Sequence, residues 1–194
     1  MILPQSFYER DPKVVAVELL GKMLVRDLGG MRLSGIIVET EAYYGKNDPA
    51  SRARKGGKLA EIMSGKAGFT LIYGVHANWL LNIVTCPKGF PGAVLIRALE
   101  PIEGVEVMVK LRRGVSLEEL TSGPGKLTKA MAITKSENLI PVFQGDSKIR
   151  IERRGAIRRF RVIGRSNRIG VKEDLNEPLR FFIKGSRFVS ANPK

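Results

Sequence analysis

Histidine, cysteine and tryptophan each occur once in this chain, as His76, Cys86 and Trp79. A single cysteine excludes an intrachain disulfide framework and fits a reducing compartment. One cysteine and one histidine are too few for zinc sites built from those residue types. A Ser-His-Asp triad would have to use His76. Acidic residues are also scarce, with 19 Asp and Glu against 33 Lys and Arg, a net charge of +14. Long apolar runs are missing, and none approaches the roughly twenty residues of a membrane span. The first residues, MILPQSFYER, carry charge too early for a secretory signal. The expectation is an intracellular protein of the cytoplasm or nucleoid, with no membrane association.

What is present fits a single domain. The 194 residues are 43% hydrophobic and 27% charged, with 21 Gly and 10 Pro. That is enough chain to bury a core and short for two, so residues 1–194 are read as one domain. Collagen-like, disordered and coiled-coil compositions are excluded. The charge is unevenly spread: residues 1–50 carry a net −1, residues 51–100 +5, residues 101–144 +1 and residues 145–194 +9. A compact domain so charged repels itself, and the usual compensation is a polyanion, nucleic acid first.

Local pattern gives a mixed α+β reading. Asp11-Pro12 before KVVAVELLG supplies an N-cap and a proline at the first helical position, so a helix is expected over 11–20. Strands are expected at 23–26 and 33–43, joined by a Gly29-Gly30 turn, and at 69–74, 79–84 and 93–98. Residues 45–68 read as a long loop with a short helix near 58–64, and residues 101–112 as a helix opened by Pro101 and Glu103. TSGPGKLTKAMAI is a loop feeding a helix. Its Gly-Pro-Gly-Lys resembles a phosphate-binding loop, but Leu127 breaks the Walker pattern. Basic strands are expected within 148–165 and 178–190.

Three features carry chemistry. Glu39 and Glu41 stand two apart on a strand and face the same side, where like charges repel unless something offsets them. Arg97, inside the apolar run AVLIRA, needs an anionic partner and is a plausible offset. Tyr43, Tyr44 and Tyr73 stand at strand ends beside basic loops, where aromatic rings can stack on bases. Read alone, the carboxylate pair is compatible with structural pairing or with catalysis.

The segments VETEAYYG, FTLIYGVHANWLLNIVT, AVLIRALEPIEG, SGPGKLTKAMAI and PLRFFIKGSRFVS, in that order, closely resemble the alkyladenine (3-methyladenine) DNA glycosylase family. The resemblance implies a single mixed domain with a curved antiparallel β-sheet, flanking helices and a protruding β-hairpin that intercalates into DNA. It implies an enzyme that flips damaged purines out of duplex DNA and hydrolyses the N-glycosidic bond without metal or nucleotide cofactor. A monomer is expected, because it suits a protein that scans DNA. It makes Glu41 the general base, Arg97 its partner, and the Ile183 carbonyl a third contact to the attacking water. Glu39 is then structural. In the base pocket the resemblance puts Tyr43 as the stacking ring and Asn82 as the residue that disfavours guanine. Tyr73 becomes the intercalating wedge.

Three departures stand beside the match. Arg52 replaces a pocket histidine, and Thr70 replaces a second stacking tyrosine. The Tyr73–Asn82 interval is two residues longer, which could bring His76 or Trp79 into the wedge. The alternatives are a non-catalytic nucleic-acid-binding module on the same fold, or an enzyme acting on RNA.

Overall fold

The computed structural model describes residues 1–153 and 162–190. Helix α1 (Pro12–Leu19) starts where its sequence directs, with the Asp11 carboxylate accepting from the amides of Lys13 and Val14. It packs Val15, Ala16 and Leu19 into the core. Strands β1 (Met23–Leu28) and β2 (Met31–Tyr44) form a hairpin across Gly29 and Gly30, whose φ angles of +59° and +86° suit a two-residue turn. Two further hairpin strands, β3 (Thr70–Val75) and β4 (Asn78–Thr85), precede the long β5 (Gly92–Glu103). β6 (Ile149–Glu152), β7 (Ile163–Ser166) and β8 (Arg180–Ile183) complete an eight-stranded antiparallel sheet. Its main path runs β3-β4-β5-β2-β1-β6.

β2 is the spine of this sheet. One edge pairs with β5 over almost its whole length. The other edge is shared, with β1 on its first half and β8 on Glu39–Glu41. Two partners on one edge, with the register shifts along the β2–β5 ladder, curl the sheet. Three short helices, α2 (Gly57–Met63), α3 (Val105–Leu111) and α4 (Pro124–Ala130), complete the fold, so the domain is mixed α+β.

Two expectations about elements are corrected. Residues 101–103 are strand, because β2 is long enough to keep pairing with Pro101 and Glu103. The helix begins only after Gly104, whose φ of +70° turns the chain. The basic strand expected within 178–190 is shorter, because after Ile183 the chain leaves the sheet; of the segment 148–165, residues 154–161 lie outside the described residues. Gly-Pro-Gly-Lys opens α4 as expected. A Cβ on Gly125 would come within 2.8 Å of Asn78 Cβ and Cγ, so this loop packs directly on the β3–β4 hairpin. The Thr128 hydroxyl donates to the Trp79 carbonyl at 2.8 Å and ties α4 to the same hairpin.

Candidate active site

Strand alternation sends Glu39 and Glu41 to the same side of β2, and both are fully buried. Opposite them the β2–β5 ladder is irregular. Glu39 faces Ala98 and Thr40 faces Ile96, so Arg97 is left without a partner in register. Its guanidinium turns onto the two carboxylates, with Nε 2.8 Å from Glu39 Oε1 and Nη1 3.2 Å from Glu41 Oε2.

The two glutamates differ in their other partners. Glu39 also accepts from Arg180 Nε at 2.8 Å, from the Ser190 amide at 2.6 Å and from the Ser190 hydroxyl at 2.8 Å. Burial opposes its charge, but Arg97, Arg180 and Ser190 together outweigh burial and hold its carboxyl below the usual range. Glu41 accepts from the Ile169 amide at 2.7 Å and the Tyr43 hydroxyl at 2.8 Å. For Glu41 burial wins, and its carboxyl is raised despite Arg97, the Ile169 amide and Tyr43. A carboxylate raised toward working pH suits a proton acceptor, whereas one held low suits a fixed anchor.

Tyr43 links this carboxylate to a narrow, partly open cleft. Its walls are Tyr43 from β2, Leu71 and Tyr73 from β3, Asn82 from β4 and Ala93 from β5. Ser51–Ala53, Leu59 and Met63 close it from the 45–68 loop and α2. Burial raises the Tyr73 hydroxyl, while the nearby Arg52 charge and a hydrogen bond with Asn82 act the other way. Behind Tyr43, the Arg168 guanidinium carbon lies 4.5 Å from the ring centroid. The ring is thus backed by a cation on one face.

The structure brings Glu41, Arg97, Tyr43, Asn82 and Arg52 to one region as the sequence suggests, and it redistributes three other residues. Tyr73 belongs to the cleft wall. The hairpin tip lies further on, at His76 and Ala77, about 10 Å from Tyr73 at the usual rise of a strand. Thr70 points away from the cleft, because neighbouring strand residues face opposite sides. Its hydroxyl donates to the Glu137 carbonyl at 2.6 Å and accepts from the Ile140 amide at 2.9 Å. The wall position belongs to Leu71 instead. The Ile183 carbonyl is not brought to Glu41. It accepts from the Ser186 amide, and the side chain packs with Ile36, Val38, Ala98 and Phe188.

The residues missed by sequence reading are Arg168, Ile169, Arg180 and Ser190. Ile169, Arg180 and Ser190 lie 128, 141 and 151 positions along the chain from the glutamates they contact, and Arg168 lies 120 from Asp48. Excess basic charge in residues 145–194 was their only trace in the sequence. Among the described residues, no group of three or more His, Cys, Asp or Glu is arranged to hold a metal ion. No helix among them is long and apolar enough to cross a membrane.

Residues 6–187 match the methylpurine-DNA glycosylase (MPG) family. A protein of Aeropyrum pernix, provisionally named a 3-methyladenine DNA glycosylase, is 44% identical over 191 residues, covering 97% of this chain and 93% of its own. Proteins given the same provisional name are 40% identical in Clostridium acetobutylicum, over the whole of both chains, and 42% identical in Carboxydothermus hydrogenoformans, over 98% of this chain and 99% of its own. Similarity of this extent leaves one conclusion: the chain belongs to the methylpurine-DNA glycosylase family.

Proposed function

We propose that this DNA glycosylase takes an alkylated or deaminated purine nucleotide out of duplex DNA into the Tyr43–Tyr73 cleft. There it hydrolyses the N-glycosidic bond and leaves an abasic site. The observation that carries the reading is Glu41, a buried carboxylate hydrogen-bonded to the very tyrosine that lines the cleft. In the step proposed, a water held by Glu41 gives up a proton to it and bonds to C1′. The purine departs with the electron pair of the broken bond. The negative carboxylate also stabilises the cationic character that the sugar develops. Arg97, the Ile169 amide and the Tyr43 hydroxyl fix the carboxylate and leave one of its roughly four acceptor sites for the water.

The cleft supports a purine substrate. Two tyrosines offer rings on which a base can stack, which is worth about 1–3 kcal/mol per base. Asn82 and Arg52 place polar groups at the edge. Arg52 has donors only, so it favours a lesion that presents an acceptor, such as O6 of hypoxanthine, over one that presents an amine. Extrusion costs a few kcal/mol. We assign its compensation to the stack and to the β3–β4 hairpin, entering the duplex by its tip at Val75–Trp79. The net charge of +14 supplies attraction to the phosphate backbone. A single chain holds every residue this reading uses.

The test is single-turnover release of bases from duplexes that each carry one damaged purine. Glu41→Gln should bind lesion DNA and release no base. Near-normal release would overturn the reading. Arg52→His run in parallel should change the order of preference among lesions without abolishing release.

A further inference from the structure

The geometry points to Arg168 as a positioning residue that holds both halves of the site, the tyrosine wall of the cleft and the amide that grips Glu41. The inference rests on the reading of Glu41 as the base. The Arg168 side chain is 0% exposed. Its Nη1 donates to Asp48 Oδ2 at 2.7 Å and to the Ala42 carbonyl at 2.9 Å. Its Nη2 donates to Asp48 Oδ1 at 2.7 Å and to Asp174 Oδ1 at 2.6 Å, and its Nε to the same Asp174 oxygen at 2.9 Å. All five guanidinium N–H groups are therefore used, which a lysine with three donors cannot reproduce.

The two carboxylates lead to different places. Asp48 accepts the Tyr44 amide at 2.9 Å and the Ala50 amide at 3.0 Å, so this arm fixes the end of β2 and the start of the loop that carries Ser51–Ala53. The same grip lays the guanidinium over Tyr43. Asp174 accepts the amide of Arg168 itself at 2.9 Å and that of Leu175 at 2.8 Å, closing the 168–175 loop. That loop presents the Ile169 amide to Glu41 Oε1. One arm serves the cleft and the other serves the carboxylate.

The arms separate by experiment, using the full chain. Asp174→Asn should slow base release roughly ten- to a hundredfold, with lesion binding largely kept, because a hydrogen bond to the reacting carboxylate loosens. It should also move the acid limb of the pH–rate profile upward. Glu41 is faced by Arg97 from β5, Glu39 and Tyr43 on its own strand, Arg180 across the ladder to β8 and Tyr73 from β3. None of these bonds to Asp174, but Tyr43 lies under the Arg168 guanidinium that Asp174 and Asp48 both hold, so Asp48→Asn is profiled beside it, and a shift confined to Asp174→Asn reports the Ile169 amide. Asp48→Asn should weaken lesion binding more than it slows release. Arg168→Lys should not rescue, and it replaces Arg168→Ala, which leaves two buried carboxylates unpaired. Thermal melting accompanies each variant. If rate and binding fall together in step with melting temperature while the acid limb stays fixed, Arg168 is merely structural and the proposal fails. Glu41→Gln is measured alongside. Near-normal release from it would overturn the base reading itself, separately from any outcome for the two aspartates.

Discussion

Glu39 and Glu41 hold the same arginine and ionise in opposite directions. Both are buried on one face of β2. Glu39 has two arginines and Ser190, which compensate for its lost hydration. Glu41 shares Arg97 and has otherwise an amide and a phenol. Charge is favoured at the first position and only tolerated at the second.

This difference predicts opposite effects of one substitution. Glu39→Gln leaves Arg97 and Arg180 short of a counter-ion and should cost about 3–5 kcal/mol of stability. Glu41→Gln removes a carboxylate whose ionisation the fold opposes, so it should be at least as stable as the native chain while losing base release. Denaturant melts of the two variants check this. Equal losses would contradict the division of roles.

The pH dependence follows from the same shifts. Glu41 must be ionised to accept a proton, and its carboxyl is raised. The rate of base release should therefore fall on acidification with a midpoint above the ordinary glutamate value of about 4.3. Glu39 works the other way for stability. Its folded carboxyl lies below the unfolded one, so its contribution is complete above the ordinary carboxylate range. That contribution is lost as pH falls through the folded value. Glu41 contributes stability only at low pH, and loses it as pH rises through its raised folded value. A single-turnover pH profile beside a pH series of melts tests both signs.

Tyr73 and Thr70 give a second contrast. Tyr73→Leu removes a wall of the cleft and should weaken lesion binding about tenfold or more. Thr70→Val leaves the Ile140 amide and the Glu137 carbonyl without their partner, and should cost about 1–3 kcal/mol of stability with lesion affinity retained. Weakened affinity from Thr70→Val, with stability intact, would put that side chain back in the pocket.

The hairpin tip is held under strain. His76 and Ala77 sit at φ +45° and +59°, a region that costs an L-residue about 1–2 kcal/mol. Ala77→Gly should raise stability by up to about 1 kcal/mol. If the tip enters DNA, His76→Ala should reduce extrusion, read by 2-aminopurine fluorescence beside the lesion. Unchanged fluorescence would remove His76 from the wedge.

Much of the fold was legible locally. Asp11-Pro12, the Gly29-Gly30 turn and the apolar strands each carry their own signal, and α1 and the β1–β2 hairpin follow it. The helix expected from Pro101 failed because strand pairing continued three residues past the local signal. The setting of Thr70 was not legible for a related reason. A motif match counts positions along the chain, whereas the face of a strand depends on parity and on where the hairpin turns. Leu71 and Tyr73 share the parity that faces the cleft, whereas Thr70 has the opposite parity and meets the Glu137 carbonyl.

The sequence by itself determined the family, the basic charge and the placing of Glu39 and Glu41 on one face, because a strand's period of two acts between neighbours. Only the tertiary structure shows what each glutamate holds besides Arg97: Arg180 and Ser190 for Glu39, the Ile169 amide and the Tyr43 hydroxyl for Glu41. The most basic segment, residues 145–194, carries most of the net charge that pointed to a polyanion. Two of its arginines, Arg168 and Arg180, are instead buried against Asp48, Asp174 and Glu39. Partners more than a hundred residues apart are chosen by sheet register and loop closure. These act through space, and local sequence pattern does not encode them.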